Sequence, residues 1–205
     1  MRGRGWGWRC VKRSWSVITG IYGRRAKRGR ALILSFCGLS NQRDHINYKG
    51  NCILHMGKGN TFLMIDDDED DRELFSELLA EINPAISVWE AENGLDAMQL
   101  LEAAGEALPD LLFLDVNMPE MDGKEFLSYL KGNDRLRHIP VIVFTTSSQQ
   151  KDVREMLSRG ALCFITKPAS VHEIKAVLSS LAVNDPAELG RGLDRLRSFS
   201  FVFWS

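Results

Sequence analysis

Leu111-Leu112-Phe113-Leu114-Asp115-Val116-Asn117-Met118-Pro119-Glu120-Met121-Asp122-Gly123 is the stretch on which the fold turns. Its apolar start has no polar alternation, so a strand made of it must be covered on both faces, the condition of an inner strand in a parallel sheet. The run stops at a carboxylate, and Pro119, Asp122 and Gly123 then mark a turn into a new element. An acid at the carboxyl end of a buried strand stands where open α/β sheets bind their ligands.

Similar runs lie on either side: Thr61–Ile65 and Ile86–Glu90 before it, Val141–Thr145 and Leu162–Thr166 after it. Segments of helical period separate them. Leu74, Phe75, Leu78, Leu79 and Ile82 make one apolar stripe, and Ile174, Val177, Leu178 and Leu181 make another. Asn83-Pro84 breaks the first helix, Ile139-Pro140 opens the fourth strand, and Ser170-x-x-Glu173 predicts a capping box on the last helix. Five βα units in succession predict an α/β fold, with a parallel sheet, helices on both faces and right-handed crossovers.

Charge divides the chain of 205 residues. Residues 1–60 hold 13 Lys/Arg against Asp44 alone, whereas residues 61–205 hold 13 Lys/Arg against 26 Asp/Glu. The first part has three of the five Trp and three of the four Cys but no sustained period, so 1–60 is expected to be a basic, disordered extension. Met56 stands just ahead of the first regular strand and reads as a natural start, with 1–55 then expected to be an over-extended reading frame. Residues 61–183 form the folded domain, and 184–205 read as a short tail without an output domain. The longest apolar run, from Ala31 to Cys37, is far too short to span a bilayer, so no membrane insertion is expected. Cys163, alone in the folded part, fits a reducing, cytoplasmic compartment.

Chemistry gathers at the strand ends. The first strand runs into Asp66-Asp67-Asp68-Glu69-Asp70-Asp71, the third into Asp115, the fourth into Thr145 and the fifth into Thr166-Lys167-Pro168. Carboxylates from two strands meeting at one edge repel, and a divalent cation such as Mg²⁺ relieves them while bridging to a phosphoryl group. The Thr145 hydroxyl and Lys167 ammonium complete a cradle for phosphoryl oxygens. Asp115 then serves as a nucleophile that forms an aspartyl phosphate. Asp68 to Asp71 read instead as a solvated helix start that complements the helix dipole.

These motifs in this order resemble the receiver domain of two-component response regulators, of the chemotaxis-regulator-like, apparently stand-alone kind, over about residues 61–183. They are the acidic pair Asp66-Asp67, LLFLDVNMPEMDG around Asp115, VFTTSS with Thr145 and FITKP with Lys167, spaced by 48, 30 and 22 residues from Asp67 onward. The resemblance implies a doubly wound, flavodoxin-like five-stranded sheet of order 2-1-3-4-5. It implies that Asp115 accepts a phosphoryl group from a histidine kinase or phosphotransfer protein and that the domain signals to a downstream protein. Asp67, Asp115 and the backbone carbonyl of Asn117 would bind Mg²⁺ directly, with Asp66 assisting through water. Thr145 and Phe164 would be the switch pair, and a cis bond between Lys167 and Pro168 would turn the lysine toward the acids.

Other chemistries fit less well. An aspartyl phosphohydrolase needs a second acid two residues past its nucleophile, where Asn117 stands. A DNA-binding regulator would have to use the basic arm, because the 22 residues after Val183 are too few for a domain, so a nucleic-acid partner is not expected. Cys52-x-x-His55 is half a zinc site without a second half, and the Asp66–Glu77 run lacks the glycine that a calcium loop needs at its sixth position.

Overall fold

A computed structural model describes residues 61–183 and 186–204, together with the backbone of 44–48 and 52–56. The elements run β1 (Asp44–Tyr48), β2 (Cys52–Met56), β3 (Thr61–Ile65), α1 (Glu69–Ile82), β4 (Ser87–Ala91), α2 (Gly94–Ala103), β5 (Leu111–Leu114), α3 (Gly123–Gly132), β6 (Val141–Thr145), α4 (Gln150–Ser158), β7 (Cys163–Thr166), α5 (Val171–Leu181), α6 (Pro186–Leu196) and β8 (Val202–Trp204). The main sheet has the order β4-β3-β5-β6-β7-β8; its first five strands are parallel and β8 is antiparallel to β7.

The apolar runs form strands because alternate residues feed two separate cores. Phe62, Met64, Leu111, Phe113, Ile142, Phe144, Cys163 and Ile165 face α1, α5 and α6. Leu63, Ile65, Leu112, Leu114, Val141, Val143 and Phe164 face α2, α3 and α4. Phe113 anchors the first core, its ring meeting Phe75 edge-on at 4.7 Å between centroids. The helices bury the stripes that their period marks: Phe75, Leu78 and Leu79 on α1, and Val177, Leu178 and Leu181 on α5. Asp68 caps α1 by accepting from the Asp70 N–H, and Asn83 ends that helix. Ser170 caps α5 without the expected side-chain bond, the Glu173 N–H donating to the Ser170 carbonyl instead.

Two expectations change. The sheet has six strands rather than five, because the tail after Val183 is folded. Its α6 sinks Leu189, Leu193 and Leu196 into the α5 side of the core. A Cβ on Gly192 would lie 1.7 Å from the Ser180 carbonyl oxygen, so only glycine lets α6 pack this closely on α5. Ahead of the main sheet, β1 and β2 pair antiparallel, in register from Asp44 opposite Met56 to Tyr48 opposite Cys52. The side chains of Cys52, His55 and Met56, and residues 1–43, lie outside the described residues. Finally, the Lys167–Pro168 bond is trans. Among the described residues no helix is long and apolar enough to cross a membrane.

Candidate functional site

Register places the acids. β3 and β5 are parallel neighbours with Ile65 opposite Leu114, so Asp66 and Asp115 come next to one another as the two strands end. The Asp115 N–H donates to the Ile65 carbonyl at 2.9 Å, which ties the two ends together. Asp115 is buried, and its Oδ2 accepts from the Asn117 N–H at 2.6 Å. Its other oxygen accepts no hydrogen bond among the described residues. Behind it, α3 begins so close that a Cβ on Gly123 would lie 2.1 Å from the Asp115 carbonyl oxygen. The Asp122-Gly123 turn therefore braces the back of the acid.

Asp66 is 1% exposed, and both its carboxylate oxygens are engaged: Oδ2 accepts from Lys167 Nζ at 2.6 Å and Oδ1 from the Asp68 N–H at 3.1 Å. Its backbone carbonyl accepts from the buried Arg72 guanidinium at 2.7 Å. Burial pushes the Asp66 carboxyl up to about 6; the Lys167 ammonium and the Asp68 N–H resist that rise, and the Asp115 charge adds to it. Lys167 also donates to Asp71. Burial alone would lower the lysine's pKa, but its bonds to Asp66 and Asp71 outweigh that and raise it, so it stays an ammonium.

Lys167 therefore reaches the acid cluster with a trans peptide, because its four-carbon stem spans the gap from β7 to β3. Asp71, read from sequence as a solvated acid, is the second anion on that lysine. Asp67 and Asn117 are exposed at the mouth of the site.

Thr145 ends β6 fully buried, and its carbonyl accepts from the Lys167 N–H at 2.7 Å. Its Oγ1 accepts from the Ser147 N–H at 3.3 Å, and among the described residues its own proton goes to no acceptor. Ser147 Oγ donates to Asp152 on α4 at 2.6 Å, and Asp152 also accepts from Lys124 of α3 at 2.8 Å. Those two bonds, the lysine's first, hold the Asp152 carboxyl below the usual carboxylate range. Phe164 is buried against Phe203. Arg72, Ser147, Asp152 and Lys124 were not singled out by sequence. Only Arg72 had a signal, since it falls on the same helical face as Phe75 and Leu79.

Among the described residues, no three His, Cys, Asp or Glu side chains converge as a ready-made metal cluster. The site offers instead two adjacent buried carboxylates, one of them with an uncommitted oxygen, and a single ammonium drawn to the other. Hard oxygen donors short of a full shell suit a small divalent cation that keeps several waters.

The response regulator receiver domain model matches residues 62–179. The chain belongs to that family. Receiver domains similar to it include the polar-differentiation response regulator DivK of Brucella anthropi, 35% identical over 109 residues, which are 53% of this chain and 85% of that one. The response regulator Rcp1 of Synechocystis sp. is 33% identical over 116 residues, 55% of this chain and 79% of that one. The probable methanogenesis regulatory protein FilR2 of Methanothrix harundinacea is 38% identical over 87 residues, and this chain spans only 56% of its length. Among solved receivers, the phosphorylated cyanobacterial phytochrome response regulator RcpA superposes with a TM-score of 0.56 at 30% identity, over 59% of this chain and 89% of that one. The Mn²⁺-bound form of Rcp1 superposes with a TM-score of 0.53 at 30% identity, over 60% of this chain and 91% of that one. The fold is thus flavodoxin-like, and the receiver's place in two-component signalling is that of a signalling protein rather than a conventional enzyme.

Proposed function

We propose that this receiver accepts a phosphoryl group on Asp115 from a histidine kinase or phosphotransfer protein in the cytoplasm, with Mg²⁺ as cofactor, and passes the signal on through protein contacts. The observation that carries this reading is the Asp115 carboxylate itself. It is buried at the end of the central strand, held through Oδ2 by the Asn117 N–H, and leaves its second oxygen uncommitted.

That oxygen is the nucleophile. It forms a bond to phosphorus as the bond from phosphorus to the donor imidazole nitrogen breaks, and the bonding pair leaves with the imidazole. The Asn117 N–H keeps the carboxylate from rotating while this happens. Lys167, tied through its own N–H to Thr145, brings a positive charge to the edge where the phosphoryl oxygens arrive, and the Thr145 hydroxyl has a proton free to donate to them. Asp67, Asp115 and the Asn117 carbonyl would hold Mg²⁺, with Asp66 assisting through water, and the ion would neutralise charge on the phosphoryl oxygens. Catalysis is confined to the domain's own phosphorylation and dephosphorylation.

Intact-mass analysis after incubation with phosphoramidate tests the reading. One phosphoryl adduct is expected in Mg²⁺ and none in EDTA, and Asp115→Asn abolishes it. An adduct of equal yield in EDTA removes the metal from the account.

A further inference from the structure

The segment beyond the fifth βα unit is built onto the domain, and it lies outside the matched family region, which ends at residue 179. It is attached unequally. α6 is seated deeply, with Leu189, Leu193 and Leu196 no more than 1% exposed and Gly192 pressed on Ser180. β8 is only three residues long, pairs with β7 alone in the sheet, and leaves Phe203 and Trp204 partly exposed. It nonetheless covers the β7 edge. Phe203 stands opposite Phe164, ring against ring at 6.3 Å and 70°, and the Arg197 guanidinium lies over the Trp204 ring at 4.2 Å.

A run of hydrogen bonds joins this strand to the phosphoryl site. Thr145 Oγ1 accepts from the Ser147 N–H at 3.3 Å, the Ser147 carbonyl accepts from Thr166 Oγ1 at 3.4 Å, and the Thr166 N–H donates to the Phe201 carbonyl at 3.0 Å. The first two are long, and long bonds between neutral groups are the first to yield. A phosphoryl group on Asp115 offers the Thr145 hydroxyl an anionic acceptor, and such charge-assisted bonds are about twice as strong as neutral ones. As the hydroxyl turns to it, the Ser147 N–H loses its acceptor, the loop pivots about the remaining Ser147–Asp152 bond, and the long Thr166 bond to the Ser147 carbonyl, the Phe201 carbonyl and the Phe164–Phe203 contact are disturbed together.

We infer that β8 is a strap on the β7 edge, fastened while Asp115 is unmodified and released on phosphorylation, with α6 staying in place as its hinge anchor. The inference rests on Asp115 being the phosphoacceptor. Release uncovers the outer edge of β7 and the Phe164 side of the sheet, so the surface presented after phosphorylation differs from the resting one by a whole strand. A strand this short is held by few bonds, and a modest differential interaction is enough to shift its population.

Hydrogen exchange on the full chain tests this, with intact mass read on the same samples before and after phosphoramidate and Mg²⁺. Exchange in the 199–204 peptide should rise roughly tenfold on phosphorylation, while the α6 peptide changes little. Because coupling is reciprocal, Phe203→Ala should bind the phosphoryl mimic beryllofluoride about fivefold more tightly in Mg²⁺, with α6 protection intact. A phosphoryl adduct with unchanged exchange in 199–204 overturns the strap and leaves the phosphoacceptor reading standing. So does loosening of α6 and β8 in step, or unaltered beryllofluoride affinity in Phe203→Ala. Absence of any adduct overturns both, and the mass spectrum tells the cases apart.

Discussion

Replacing Asp66 with Asn should make the metal-free protein more stable, and the gain should depend on pH in a defined direction. Burial holds the Asp66 carboxyl at about 6 against an ordinary value of 3.8. The folded state therefore keeps this proton more tightly than the unfolded chain does. Between pH 3.8 and 6 folding takes up a proton, so stability falls as pH rises through that window; below it there is no penalty, and above it the penalty is complete. A displacement of this size corresponds to about 3 kcal/mol at neutral pH. The amide of the Asp66→Asn variant keeps an oxygen to accept from the Asp68 N–H or from Lys167 but gives up an ion pair, while Lys167 retains Asp71 as its anion.

The net gain expected at pH 7 in EDTA is then about 1–3 kcal/mol, or a melting point higher by about 5 °C. It should vanish near pH 4. Urea unfolding of both proteins from pH 4 to 8 measures it. A variant that is less stable at pH 7, or more stable by the same amount at every pH, would refute the reasoning that burial dominates at this carboxylate.

Asp67→Ala removes an exposed acid, so stability should stay within about 0.5 kcal/mol while Mg²⁺ affinity, measured by calorimetry, drops at least tenfold; unchanged affinity removes Asp67 from the ligand set. Thr145→Ala and Lys167→Ala should still take up phosphoryl but fail to transmit it, seen as amide shifts around Phe164 that no longer respond; wild-type responses in both variants contradict the switch. Gly192→Ala should lower stability by about 2 kcal/mol or more, because its methyl group meets the Ser180 carbonyl, and the α6 amides should lose protection. Lys124→Met should free the Asp152 carboxyl from its main partner and raise its pKa toward the ordinary range, a change that carboxyl NMR titration reads directly.

The strands were legible because they are nearly all apolar, and a sheet buried on both faces admits little else. Thr61–Ile65, Leu111–Leu114 and Val141–Thr145 stand where the pattern places them, and the strand expected at Ile86–Glu90 is displaced by one residue to Ser87–Ala91. Asp115 and Thr145 were legible for the same reason: each is the first polar residue after such a run. The folded tail carried signals too, Leu189, Leu193 and Leu196 at helical spacing and Phe199, Phe201 and Phe203 at strand spacing. Its balanced surface charge masked them, and pairing with β7 is a tertiary event that no local pattern encodes. Asp71 was misread because a run of consecutive acids does not say which one the helix turns inward. The phase of α1 decides that, and it brings Asp71 to Lys167. The trans bond at Pro168 was missed because the lysine's reach alone was enough to meet Asp66.

The most direct test of the account locates the phosphoryl group chemically. Borohydride reduces an aspartyl phosphate to homoserine, so the full chain, phosphorylated by phosphoramidate in Mg²⁺, reduced and digested, reports the acceptor by peptide mass. Conversion is expected at position 115 alone, dependent on phosphorylation and lost in EDTA. Conversion at position 66 or 67, or a phosphoryl adduct that leaves position 115 as aspartate, would contradict it.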